Sequence, residues 1–311
     1  MPNGSPTPPP PESERMSADS LPSKIKRRLI RLGARPGLVG VPGRWLGQLR
    51  GWRMDCGARV IIDNPAEYIQ SQILAHGAYE PLSAALLQSV LGPGRLFLDV
   101  GGNIGNHTLV AASTGARIHA FEPVPRLADR LLANIRLNGW EDRLELFRCA
   151  IGAEEGTVTL HEAEQWDDGS HSILEWDGAR SRHSFPVPLT TLDLHLAKTR
   201  PGPVTAMKVD VEGYEARVID GARSLLDAAS PPLWLLETGD RMANQIGESA
   251  RSVLGRLADR GYEFWSVPEV GHVKKVVLDD ISGDVVNYCC LHPRSTGRDA
   301  VLGTLRRLGA A

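Results

Sequence analysis

Cysteine is scarce in this 311-residue chain: there are four, Cys56, Cys149, Cys289 and Cys290, with no CxxC spacing and one adjacent pair. That excludes a disulfide framework and a zinc site, and the four are read as buried thiols. No stretch approaches the roughly eighteen apolar residues of a membrane-spanning helix. The amino terminus lacks a charged start leading into an apolar core, so no signal peptide is expected and the protein is expected in the cytoplasm. No internal repeat is found. Acid is missing from Lys24 to Met54, where nine basic residues stand (Lys24, Lys26, Arg27, Arg28, Arg31, Arg35, Arg44, Arg50, Arg53). The remainder therefore holds 26 basic against 37 acidic residues, about −11, although the whole chain is only −2. Such a body is a poor polyanion-binding surface, which disfavours nucleic acid as a partner.

What is present is an ordinary globular balance, 42% hydrophobic and 23% charged, in a chain long enough for one large α/β domain or two small ones. Residues 1–23 form a Pro-rich tail with too little apolar surface to offset chain entropy. Residues 24–67 read as a basic, Gly-rich arm with one short helix over 24–32 and two open readings. One is peripheral contact of residues 24–54 with anionic lipid at the inner face of a membrane, or with an acidic partner; the other is a solvated arm folded over the domain. A domain follows over 68–292, then a tail over 293–311. Within the domain, short apolar runs alternate with helical patterns, the mark of a doubly wound α/β sheet with flanking helices. Strands are expected at 96–100, 116–121, 144–148, 204–209, 233–237, 262–267 and 286–291. Helices are expected at 81–91, 106–113, 125–138, 214–228 and 249–260, with 157–161 and 185–189 as a hairpin or flap.

Directly after the first strand stands Asp99-Val100-Gly101-Gly102-Asn103-Ile104-Gly105. A dinucleotide needs GxGxxG to rest its pyrophosphate on a helix start, and that fingerprint fails here from either glycine. What fits is an acid followed by Gly-x-Asn-x-Gly, a loop of the kind that holds S-adenosylmethionine. Asp99 then faces the cofactor's amino group, directly or through water, and Glu122 at the end of the next strand takes the ribose hydroxyls.

The residues resemble the FkbM family of S-adenosylmethionine-dependent methyltransferases over about 68–240. The resemblance rests on the glycine loop, Phe121-Glu122-Pro123, Asn134 with Asn138, Thr191-Leu192-Asp193, the string Lys208-Val209-Asp210-Val211-Glu212-Gly213-Tyr214-Glu215, Gly221 and Glu237. Gly77-Ala78-Tyr79-Glu80 matches a motif upstream of the sheet. The resemblance implies a Rossmann-like class I methyltransferase sheet and a cofactor held by Asp99, Gly101, Asn103, Gly105, Glu122 and Glu80. It also implies an acceptor hydroxyl on a sugar, glycolipid or secondary metabolite. Alternatives are methylation of protein or RNA nitrogen, or a cofactor-binding scaffold without catalysis. Gly102, where alanine is usual, and Thr205-Ala206-Met207 depart from the family pattern.

Lys208, Asp210 and Glu212 alternate, so all three face one side if the strand runs that far. They are candidates for catalysis, with Asp210 as proton acceptor and the others fixing it. His171, in the polar loop between Trp166 and Trp176, is the alternative base. The two tryptophans either stack on a sugar or pack a hairpin, and His107 is read as structural. Asp210, Glu212 and Glu237 could hold a divalent metal, but no pattern requires one, and none is expected.

Overall fold

Runs such as Leu96-Phe97-Leu98 and Leu233-Trp234-Leu235-Leu236 are apolar on both alternating faces, which suits a strand covered on both sides. The computed structural model, which describes residues 51–310 apart from 66, 164–170, 173–180, 232, 270 and 282, builds them into an eight-stranded sheet. In chain order its strands are β1 (Leu96–Val100), β2 (Arg117–Phe121), β3 (Leu144–Phe147), β4 (Ala206–Val209), β5 (Leu233–Thr238), β6 (Glu263–Val267), β7 (Lys274–Val276) and β8 (Val286–Leu291). They lie side by side as 3-2-1-4-5-8-6-7. Strands β1 to β5 are mutually parallel, and β8 runs antiparallel between β5 and β6. The order reverses between β1 and β4, and doubly wound sheets bind ligands at the carboxyl edge of that switch point.

The helices are α1 (Tyr68–His76), α2 (Pro81–Val90), α3 (Asn106–Ser113), α4 (Pro125–Asn138), α5 (Leu192–Thr199), α6 (Glu215–Asp220), α7 (Arg223–Asp227), α8 (Asp240–Ala243), α9 (Ala250–Ala258) and α10 (Arg298–Arg307). Alternation along β1 sends Leu96, Leu98 and Val100 into one core and Phe97 into the other, beside Leu87 of α2 and Leu109 of α3. Ala206 joins Phe97's side while Met207 and Val209 join the opposite one. Asp99 and Lys208, which pair in register, consequently share the face that α2 and α3 cover.

Helices α3 and α4 form at the residues expected. The helix expected over 214–228 is instead two, α6 and α7, because Gly221 lies against Gly152: a Cβ there would stand 2.0 Å from the Gly152 carbonyl oxygen. Asp193 starts α7 by accepting from the Arg223 and Ser224 amides, each at 3.0 Å. The expected hairpin is present within Gly156–Ala163 and Ser181–Thr190, which pair antiparallel in a four-stranded side sheet with Ala150–Ile151 and His171–Ser172.

Two expected boundaries are corrected. Residues 293–311 are not a tail: α10 buries Val301 and Leu305 in the core beside α2. The arm ends sooner than residue 67, since Trp52–Arg53 and Arg59–Val60 form a hairpin that buries Met54, Ala58, Val60 and Ile62. Two asparagines of α4 hold it. Asn134 accepts from the Ile61 amide at 2.8 Å and donates to the Ile104 carbonyl at 2.8 Å, while Asn138 accepts from Arg59 N–H at 2.7 Å. Asn134→Ala leaves both backbone groups short of a partner and is expected to cost about 1–3 kcal/mol, which thermal denaturation would register as a fall in Tm of about 2–10 °C. The tail 1–23, the helix expected over 24–32 and all of the arm before residue 51 lie outside the described residues. No helix among the described residues is long and apolar enough to cross a membrane. Cys289 and Cys290 are buried as expected, whereas Cys56 and Cys149 are only partly so, and all four are free.

Candidate active site

At the switch point the carboxyl ends of β1, β2, β4 and β5 open into a cleft of about 380 Å³. Its floor is shaped by the turn after β1. Gly101 has φ +87°, and a Cβ on it would sit 1.9 Å from the Asp210 carbonyl oxygen, so only glycine lets the turn approach the end of β4. Gly101 and Gly102 donate to the Phe121 carbonyl at 3.0 Å each, and Gly105, also left-handed, starts α3. Gly101 and Asn103 line the cleft; Gly105 only turns the chain.

Glu122 faces the cleft from the end of β2. One of its carboxylate oxygens accepts from the Asn103 amide at 2.7 Å and the other from the Val124 amide at 2.8 Å. Two fixed donors hold the carboxylate still and leave lone pairs directed elsewhere. Burial, offset in part by those amides, pushes its carboxyl up to about 7. Asp99 is different from expectation in its placement. It is buried behind the turn rather than on the cleft wall; Oδ2 accepts from the Thr108 hydroxyl, and Oδ1 is buried with no partner. Burial raises its carboxyl above the ordinary range.

The Lys-x-Asp-x-Glu-Gly-x-Glu string now divides by role. Lys208 is 1% exposed and its ammonium lies 3.2 Å from Glu237, 3.3 Å from Asp210 and 3.7 Å from Glu80, while donating to Asn287 Oδ1 at 2.7 Å. Burial alone would lower its pKa, but the surrounding carboxylates hold it well above the usual lysine value. Glu80, the left-handed residue before α2, also meets His107 Nε2 at 3.3 Å, a contact by distance that lacks hydrogen-bond alignment. Burial opposes its ionisation, yet Lys208 and His107 hold it below the ordinary range. Burial, then the neighbouring Asp210 carboxylate, push Glu237 well above the ordinary range, while the Lys208 ammonium works the other way. One buried ammonium facing three carboxylates is how charge is tolerated here.

Strand β4 stops at Val209, so the expected alternation does not reach Glu212. Glu212 sits left-handed at φ +53° and lines the cleft outside the Lys208 group; Glu215 accepts from the Val211 and Gly213 amides at 3.2 and 3.0 Å and fixes the turn. In the carboxylate cluster its place is taken by Glu80, since the donor atoms of Glu80, Asp210 and Glu237 lie within 4.8 Å of one another. The Lys208 ammonium, within 3.7 Å of all three, already supplies the cation they surround. His171 lies on a two-residue strand paired with Gly156–Ala163 rather than in an open loop, and Trp166 and Trp176 fall outside the described residues. Asn287, Tyr79 and Arg241 were not singled out from the sequence as site residues. Asn287 had no local signal, because only the antiparallel insertion of β8 brings it beside Glu237. Cys149 lines the cleft, but burial pushes its thiol up to about 11, away from thiolate chemistry.

A doubly wound sheet with a glycine turn, an anchored acid at the next strand end and a charged cluster on β4 defines a Rossmann-like, methyltransferase-type domain. The chain belongs to the FkbM methyltransferase domain family, whose model matches residues 99–264. Hexuronic acid methyltransferase AglP of Haloferax volcanii is 29% identical over 133 residues, 42% of this chain, and the match spans about half the length of that relative, 52%. Among solved structures, methyltransferase FkbM of Methylobacillus flagellatus is similar at 15% identity, covering 81% of this chain and 60% of its own, with a TM-score of 0.40. Fibrillarin of Aeropyrum pernix, solved with natively bound S-adenosyl-L-methionine, is similar at 16% identity, covering 68% of this chain and 74% of its own, with a TM-score of 0.36.

Proposed function

We propose that the chain transfers a methyl group from S-adenosylmethionine to a hydroxyl oxygen of a sugar, glycolipid or secondary metabolite. The observation that carries this is Glu122, held by two backbone amides at the cleft beside a glycine turn that lacks a dinucleotide fingerprint. The residues fit such a cofactor. A Cβ would fill the cradle at Gly101, Asp99 has an unpartnered buried oxygen behind it, and the lining guanidinium, Arg241, stands on α8 beyond β5 rather than at the turn. An acidic lining suits a ligand with a cationic amine and sulfonium and does not suit a pyrophosphate.

Glu122 would hold the ribose, the Gly101–Asn103 turn would seat the amino-acid end, and Asp99 would act on the amine through water. The cofactor supplies, when bound, a methyl group activated on sulfur. This chain's own work is to place the acceptor hydroxyl in line with it and keep water away. Asp210, partly exposed in the cleft and steered by the ammonium behind it, accepts the hydroxyl proton. A sugar acceptor is supported by the similarity to the hexuronic acid methyltransferase of Haloferax volcanii, and the acidic body argues against nucleic acid.

Calorimetric titration tests the cofactor. S-adenosylmethionine is expected to bind and NAD not; Glu122→Ala should weaken binding by about 1.5–3 kcal/mol, the loss of charged hydrogen bonds. Hydroxyls donate best to the ionised carboxylate, so affinity should rise as pH passes through about 7, and this dependence should vanish in Glu122→Gln. Saturable NAD binding with no response to S-adenosylmethionine would sink the assignment.

A further inference from the structure

The mouth of the cleft is built differently from its floor. Four large apolar side chains are exposed among the described residues, and two of them, Tyr68 at 43% and Val285 at 42%, line this one opening. Exposed apolar surface gathered at a cleft marks a binding surface rather than chance. Tyr68 stands edge-on to Tyr79 with ring centroids 6.1 Å apart, and its hydroxyl donates to Glu269 Oε2 at 2.6 Å, joining segments 201 residues apart in sequence. Val285 is seated over Gly239, where a Cβ would come within 2.7 Å of its backbone. Tyr68, Glu269 and Val285 all lie outside the stretch matched by the family model, whereas Glu122, Asp210 and Glu237 lie inside it. The floor thus falls within the matched stretch, and these three mouth residues fall outside it.

We infer that this mouth is the acceptor subsite, and that it takes an uncharged polyhydroxylated ring whose C–H face rests on the exposed ring of Tyr68, with Tyr79 edge-on beside it. Aromatic faces match the apolar face of a pyranose, and carboxylates accept from paired hydroxyls. The charge of the lining sets the class. Asp210 and Glu237 share the Lys208 ammonium with Glu80, and Glu212 and Glu269 add two more carboxylates against the single lining guanidinium of Arg241, so a ring bearing its own carboxylate enters against an acidic excess. The role of the site rests on the methyl-transfer reading; its location rests on geometry alone.

Saturation-transfer difference NMR on the full chain, with the methyl glycosides of glucose, galactose, mannose and rhamnose as probes, tests the site without turnover. Methyl glucuronoside and galacturonoside serve as charged counterparts. At least one neutral glycoside is expected to show ring C–H enhancements and to bind more tightly than its uronate. Tyr68→Ala should weaken that binding by about five- to tenfold. Tyr68→Phe keeps the ring, loses only the bond to Glu269, and should retain most of the affinity. Unchanged binding by Tyr68→Ala, absence of any glycoside signal, or a preference for the uronate would each overturn the inference. Glycoside binding with no methyl transfer on adding S-adenosylmethionine would remove the proposed reaction and leave the subsite standing.

Discussion

Asp210→Asn is expected to slow single-turnover methyl transfer by about 10²–10⁴, the usual contribution of a positioned acid or base, while cofactor affinity changes little. The variant keeps the side chain's shape, so the cluster around Lys208 persists with one negative charge fewer. Asp210 lies on the cleft wall with the ammonium 3.3 Å behind it, and its backbone amide is tied to the Val100 carbonyl at 3.0 Å. His171 belongs to a separate sheet, so His171→Ala should cost far less. EDTA should change neither rate, because Lys208 occupies the centre of the carboxylate group. A larger loss from His171→Ala would move the base to the side sheet. Abolition by EDTA with rescue by Mg²⁺ would recast Glu80, Asp210 and Glu237 as ligands.

Lys208→Met should be the most destabilising single substitution in the sheet. It removes the one cation from among three carboxylates, and breaking a buried ion group by deleting a partner costs about 3–5 kcal/mol, or a Tm fall of about 6–20 °C in a domain this size. The deficit should depend on pH. Glu80 is held below its ordinary value of 4.5 mainly by Lys208 working against burial, so the stability it contributes is present above that value and lost as pH falls. The gap between parent and variant should therefore be widest near neutrality and narrow on acidification below about 4.5. Thermal denaturation of both proteins between pH 2 and 8 measures it. A gap that is constant across the range would show that Lys208 acts through packing alone.

The glycine turn and Glu122 were legible in the sequence because both are local features: a strand end, a tight turn, and an acid one strand later. Asp99 was legible as an acid at that place, but its rotation away from the cleft follows from Thr108 on α3, a partner nine residues on. Glu212 was misplaced because alternation predicts facing only while the strand lasts, and β4 stops at Val209. Helix α10 escaped notice since just two apolar residues, Val301 and Leu305, form its buried stripe in a polar run. Helix α1 escaped because its N-cap is Glu67, outside the usual Ser, Thr, Asp or Asn signal. The contacts of Glu80 and Asn287 to Lys208, and of His107 to Glu80, depend on elements meeting from distant parts of the chain, which no local pattern encodes.

The seat of β8 between β5 and β6 has a consequence for how the chain is made. Strand β6 emerges from the ribosome before β8 yet cannot take its final neighbour until residues 286–291 have followed it. Until then β5 carries an open, strongly apolar edge, Leu233-Trp234-Leu235-Leu236, of the kind that pairs with other chains. Lys208 likewise waits for Asn287. A nascent chain stalled between β6 and β8 is thus the species most in need of chaperone cover, and release at that point should yield aggregate rather than a smaller folded domain.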